Sequence, residues 1–185
     1  MDWLSSWEES HVIRVRRGIY LNAQIDPLPS LGEVVPWLRK EAVVSLSYAL
    51  GQAKVLKRYS DQWVTSVLPL KTSRAVGVFR EGPRIFQFAG LRPDLLPASA
   101  DPTWGGDAYV PEARVATATP EKALLDWLYL ARNSFHWRTP EPDALNWERL
   151  DLGRAKRLAQ RMGLTDVWRK FQASAMDKGN APLLD

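Results

Sequence analysis

The sequence predicts an α+β fold: helices first, then a small antiparallel sheet, then helices again. Three observations point to it. Apolar residues keep a helical spacing between Leu31 and Ala53, change to strand-like runs between Trp63 and Phe88, and return to helical spacing from Ala123 onward. Turn residues separate the strand-like runs, most clearly at Glu81-Gly82-Pro83. Thr119-Pro120-Glu121, just ahead of an apolar stripe, is a full set of helix-start signals. A doubly wound α/β sheet would alternate strand and helix along the chain, which this order does not do.

The chain has 185 residues, 45% of them hydrophobic, enough for one good core or for a compact domain with a small appendage. Residues 1–29 are expected to form a hairpin and linker, and residues 30–185 the main domain. The absence of cysteine excludes disulfides, thiolate chemistry and cysteine-ligated zinc. No apolar run approaches the ~20 residues that span a bilayer. Met1 to Glu8 lacks the basic-then-apolar order of a signal peptide. A cytoplasmic protein with no membrane partner is the expectation.

The formal net charge is +4, and it is uneven. Residues 1–100 hold 13 Lys and Arg against 9 Asp and Glu, whereas residues 101–185 hold 12 of each. A basic first half fits nucleic-acid contact near the N-terminus, and it also fits ordinary solubility. The nine tryptophans follow no period and read as packing residues, each with an indole N–H that needs a partner.

Trp3 to Glu9 reads as a short helix. Ile13 and Val15, then Ile19 and Leu21, alternate around Arg16-Arg17-Gly18, the pattern of a β-hairpin with a basic turn. Such a hairpin suits the phosphate-contacting wing of a winged-helix protein, or an edge protected by charge. Gln24 to Pro29 is a linker. Ser30 caps a helix through Leu31, Val34, Val35 and Leu38, short or kinked because of Pro36. Ser45 opens a second helix with Leu46, Ala49, Leu50 and Ala53 on one face and Gly51 as a weak point. Lys54, Lys57 and Arg58 suit the dipole at its C-terminus.

Trp63–Leu70, Val76–Phe79 and Arg84–Phe88 read as strands, Leu91–Pro111 as a long surface loop, and Glu112–Ala118 as a strand leading into the next helix. There Thr119 is the N-cap, Pro120 takes the first helical position, and Glu121 faces the positive end of the dipole. Ala123, Leu124, Trp127, Leu128 and Ala131 make its apolar stripe. Lys122 and Asp126 lie on another face and read as an i,i+4 ion pair worth ~0.3 kcal/mol. Alternatively Asp126 accepts a strand or loop N–H. After the Pro140–Pro142 break, Asp151 caps a helix striped by Leu152, Ala155, Leu158, Ala159 and Met162 and stopped by Gly163. Thr165 caps a last helix bearing Val167, Trp168 and Phe171. Arg154, Lys156, Arg157, Arg161, Arg169 and Lys170 make these helices basic, as a solvated face or a partner surface.

Little in the sequence supports catalysis. The two histidines, His11 and His136, are far apart, with no His-Glu-x-x-His spacing. There is no glycine-rich phosphate loop and no Gly-x-Ser-x-Gly elbow. Glu121, Lys122 and Asp126 form the one polar cluster on a strong helix. No catalytic residue, no metal site and no cofactor is expected.

Four segments together resemble the AbiEi family, antitoxins and transcriptional regulators of type IV toxin–antitoxin (abortive infection) systems. Val15-Arg16-Arg17-Gly18-Ile19-Tyr20 resembles its Arg-Arg-Gly-hydrophobic-Tyr wing. Val44-Ser45-Leu46-Ser47-Tyr48-Ala49-Leu50 resembles its hydrophobic-Ser-x-x-x-Ala-Leu helix, and Trp63-Val64-Thr65-Ser66-Val67 the strand after it. Ala118-Thr119-Pro120-Glu121-Lys122-Ala123-Leu124-Leu125-Asp126 resembles its most specific segment, Pro-Glu-Lys-Ala-Leu-Leu-Asp. The likeness covers about residues 10–135. It implies a winged helix that binds inverted repeats in its own promoter, and an antitoxin domain that counteracts a nucleotidyltransferase toxin without requiring a stable complex. It assigns DNA phosphate contacts to Arg14, Arg16 and Arg17, and signature positions to Thr119, Pro120, Glu121, Lys122 and Asp126. The family places about three helices before the wing. Here Trp3 to Ser10 precede it, so a shortened winged helix without a full recognition helix is expected. The other reading is a DNA-binding regulator or accessory protein that uses the basic hairpin and has no antitoxin activity.

Overall fold

The computed structural model describes residues 12–16, 18–26, 29–70, 76–96, 104 and 106–177. The helix expected at Trp3–Glu9 and the residue Arg17 lie outside them. The alternating apolar residues near the N-terminus form the expected antiparallel hairpin, β1 (Val12–Arg16) and β2 (Ile19–Asn22), with Ile13 opposite Leu21 and Arg14 opposite Tyr20. Its turn uses Gly18 at φ +82°, a backbone region that costs glycine nothing. The next segment coils as a 3₁₀ turn, Leu31–Val34, that runs into the single-turn helix α1 (Val35–Leu38). Pro36 sits in the first turn of α1, where its missing N–H is harmless, so the helix is short instead of kinked. Glu33 accepts the Ser30 N–H at 3.1 Å and fixes the entry.

A four-stranded sheet follows, from β3 (Val43–Val44), β4 (Trp63–Pro69), β5 (Gly77–Glu81) and β6 (Arg84–Leu91), in the order β3-β4-β6-β5. The α+β class stands, but the sheet is mixed and not antiparallel throughout. β4 and β6 run parallel, from Trp63 beside Ile85 to Pro69 beside Leu91, while β3–β4 and β5–β6 are antiparallel. Alternation and turn residues mark the strands and the β5–β6 hairpin, yet they do not say which strands are neighbours. The chain leaves β4, passes the next position, and returns so that β6 fills the gap.

Two further expectations change. Of the strand expected at Glu112–Ala118, only Thr117 and Ala118 pair, with Val44 and Tyr109 respectively. The chain turns at Pro111 and Glu112, and the Thr117 hydroxyl donates back to the Val115 carbonyl at 2.9 Å. The loop expected on the surface at Leu91–Pro111 contributes Leu95, Trp104 and Ala108 to the core. Its apolar residues follow no period, so no buried face was visible in them.

The remaining helices are α2 (Leu46–Gln52), α3 (Pro120–Asn133), α4 (Leu152–Arg161) and α5 (Thr165–Asp177). Strand alternation divides the apolar residues between the two faces of the sheet. Val43, Val67, Ala89 and Leu91 meet α2 to α5, including Leu50, Leu124, Leu128 and Leu158. On that side Trp147, Trp168 and Phe171 stack with ring centroids 5.6 to 6.4 Å apart. Val44, Val64, Phe86 and Phe88 belong to the other cluster, with Val15, Val34, Val35 and Leu38. The hairpin is therefore seated on the sheet through Val15, which is fully buried. Among the described residues no helix is long and apolar enough to cross a membrane.

Candidate functional site

The Thr119–Asp126 segment is the place where polar chemistry enters the core. Thr119 caps α3, its hydroxyl oxygen accepting the Lys122 N–H at 3.4 Å and donating to the Asp107 carbonyl at 2.6 Å. Pro120 is at the first position and Glu121 is in the first turn. Leu124, Leu125, Leu128 and Leu130 are all buried, so the helix is apolar around more than one stripe. That wide apolar surface takes Lys122 and Asp126 inside, at 1% and 0% exposure.

The Lys122 ammonium donates to one carboxylate oxygen of Asp126. The other accepts the Ser45 hydroxyl at 2.8 Å. Ser45 comes from the start of α2, 81 residues earlier in the chain. Its hydroxyl is committed to Asp126 and does not cap α2. Thr65 on β4 does that work, accepting the Tyr48 N–H at 2.9 Å and donating to the Ser45 carbonyl at 2.7 Å. Leu46, next to Ser45, holds φ at +57°, a conformation that costs a non-glycine residue ~1–3 kcal/mol and persists only where surroundings impose it.

Aromatic rings close the cluster. Trp104 lies over the Lys122 ammonium, 5.9 Å from the ring centroid. Burial, with the Asp126 charge added, pushes the Tyr109 hydroxyl up to about 12. Burial also pushes the Asp126 carboxyl up, against the opposing pull of Lys122 and the Ser45 hydroxyl. The pair is thus no surface i,i+4 contact worth a few tenths of a kcal/mol. It is a desolvated pair, in which loss of one partner strands the other charge.

A second set of bonds ties the start of α3 to its neighbours. Glu121, also buried, accepts the Asp151 N–H at 2.8 Å and lies 3.4 Å from Arg154. Asp151 in turn caps α4 through the Arg154 N–H at 2.8 Å. Arg157 grips Asp107 through Nε and Nη2 at 3.1 and 3.2 Å, and this bond holds the Asp107 carboxyl below the usual aspartate range. Arg154 and Arg157, part of the basic decoration of α4, thereby face acids of their own chain. Sequence reading missed Ser45, Thr65, Asp107 and Tyr109 as partners. The doubled apolar stripe of α3 was the signal that Lys122 and Asp126 go inside.

The two groups of expected site residues are not brought together. Thr119, Pro120, Glu121, Lys122 and Asp126 lie on the helical side of the sheet, and the hairpin lies on the other. Arg14 is half-buried on β1, with its carbonyl accepting Arg84 Nη1 at 3.0 Å. The side chain of Arg16 and all of Arg17 lie outside the described residues. Chemically, Ser45, Lys122 and Asp126 offer no exposed surface to a substrate, and what they can do is clamp α2 to α3. Among the described residues no group of three or more His, Asp and Glu is arranged to hold a metal ion.

Compared with protein-family models, curated proteins and solved structures, the chain gives no significant match.

Proposed function

We propose that the protein is an antitoxin of the AbiEi type, acting in the cytoplasm against a nucleotidyltransferase toxin and performing no catalysis itself. One observation carries the reading. Three of the segments behind the resemblance supply the buried network: Ser45 from the helix segment, Thr65 from the strand, and Lys122 with Asp126 from the Pro-Glu-Lys segment. Enzyme signatures turn their charged groups toward substrate, whereas these turn toward one another. A charged motif spent on holding the fold suits a protein that works through its surface. The test is co-expression with a type IV nucleotidyltransferase toxin. Restored growth is the expected outcome, and continued growth arrest with the protein folded and present overturns the proposal.

Promoter binding is the second activity of this reading, and the hairpin favours it. Arg14 lies on β1, Gly18 is exposed in the turn, and the sequence between them adds Arg16 and Arg17, the composition with which a wing presents cations to a phosphate backbone. Phosphate contacts of this kind position a protein without reading bases. Binding through three arginines gives a log–log salt slope of about −3. Failure to bind promoter DNA at low salt removes this activity and leaves the antitoxin reading intact.

A further inference from the structure

The two edges of the sheet are treated differently. At β3 the chain covers its own edge: the Val44 N–H donates to the Ala116 carbonyl at 2.9 Å, and the Val44 carbonyl accepts the Ala118 N–H at 2.8 Å. At the other edge β5 pairs with β6, and among the described residues no segment pairs with its outer side. The neighbouring strand shows which groups face outward. Ile85 on β6 donates its N–H to the Gln62 carbonyl at 2.8 Å, on the β4 side. Arg80, which stands opposite Ile85, therefore makes no ladder bond to β6. By alternation the N–H and C=O groups of Val78 and Arg80 point away from the sheet, as a template for a further strand.

The side chains of β5 suit a second copy of the same strand. Val78 lies on the helical side of the sheet, 52% exposed, with the exposed Val76 and Leu70 beside it along a pocket of about 500 Å³. Phe79 and Gly77 lie on the other face, and among the described residues nothing comes within 4 Å of where a Gly77 Cβ would stand. A two-fold axis can pair the outward groups with Val78, Phe79 or Arg80 on the axis. Charge chooses among these registers. With Arg80 on the axis two guanidinium groups stand opposite each other, and with Phe79 on it they are diagonal neighbours, within reach of long side chains. With Val78 on the axis the two Arg80 Cα atoms are roughly 14 Å apart. Val78 then packs on Val78 of the second copy, and the aliphatic stem of Arg80 lies beside Val76. Phe79 stands opposite Gly77, whose missing side chain leaves room for the ring.

The geometry points to a symmetric homodimer in which β5 pairs antiparallel with β5 of a second copy, with Val78 on the two-fold axis. Neither proposed activity requires it. One short strand with Leu70, Val76 and Val78 beside it makes a small interface, at the transient end below about 1,200 Å², so the dimer exchanges with monomer. Sedimentation equilibrium of the full chain tests this. The mass is expected to rise from 21.0 kDa toward twice that value as the protein is concentrated from about 1 to about 500 µM. Val78→Lys and Val78→Pro should both hold it at the monomer mass. The first sets like charges on the axis. The second removes an N–H that the folded monomer leaves facing outward, where a strand tolerates proline. Both are expected to keep the wild-type denaturation midpoint at low concentration. The chain has no cysteine, so a single introduced one reports the register. Val78→Cys should form a disulfide across the axis on oxidation, at a Cα separation of about 5.5 Å, and Arg80→Cys should not. A monomer mass throughout the range overturns the proposal and leaves the edge to solvent or to a different protein. A dimer that survives either Val78 substitution in a folded protein overturns it, and so does equal cross-linking at the two cysteine positions.

Discussion

Asp126 holds two partners deep in the core, the Lys122 ammonium and the Ser45 hydroxyl. Asp126→Ala leaves the Lys122 ammonium buried and uncompensated, at a cost of about 3–5 kcal/mol. Lys122→Met combined with Asp126→Leu removes both charges, and most of the lost stability should return because neither ion then has to be desolvated. Denaturant titrations of the two variants check this. A loss below about 1 kcal/mol for Asp126→Ala, the size of a surface pair, would mean that water reaches the cluster. At Asp107 the prediction concerns pH. Arg157 lowers its carboxyl in the folded state, so the contribution is fully present above the unfolded aspartate value and disappears as pH falls through the folded one. Wild type should therefore lose stability on acidification more steeply than Arg157→Gln. Asp126, pushed the opposite way by burial, is common to both proteins and cancels. Equal slopes would show that the Arg157 bond does not persist in solution. Glu121, Lys122 and Asp126 were recognisable from sequence as a group. Their burial was not, because i,i+4 spacing describes a single helix and says nothing of what covers it.

At the scale of elements, the start signals of α3 and α4 were legible because residue and backbone act within one segment there, whereas Thr165, expected as a cap, is the first residue of α5. Thr119, Pro120 and Asp151 open α3 and α4 as local rules require, and Gly163 leaves α4 at φ +66°. The start of α2 escaped this logic. Ser45 has the residue type of a cap, yet its hydroxyl is taken by Asp126, and the capping oxygen arrives from β4. No local pattern reveals a cap supplied from another strand. Thr65→Val is the informative change. Valine suits a strand at least as well as threonine, so local propensity predicts no loss. Removing the hydroxyl, however, leaves the Tyr48 N–H and the Ser45 carbonyl short of a buried partner, which costs about 1–3 kcal/mol. A denaturation midpoint equal to wild type would refute the borrowed cap. The parallel β4–β6 pairing was hidden for the same reason: neighbours in a sheet are chosen by the path between strands, and periodicity describes only the strands themselves.

Across the whole molecule the sheet separates two kinds of surface. Its helical side encloses the ionic clamp, and its other side carries the hairpin, whose residues account for part of the basic excess in the first half of the chain. The charge asymmetry was visible in the sequence, but its place on one side of a sheet needed the fold. This separation makes the two proposed activities divisible. Arg16→Ala with Arg17→Ala removes two of the three proposed phosphate contacts while leaving Val15, the residue that seats the hairpin, unchanged. Affinity for promoter DNA should fall, and the salt slope should shrink from about −3 to about −1. Growth rescue against the toxin should persist, with an unchanged thermal midpoint, because the Ser45, Lys122 and Asp126 clamp lies across the sheet. If rescue vanishes together with DNA binding in a protein that remains folded, the hairpin belongs to the antitoxin surface and the division by the sheet is refuted.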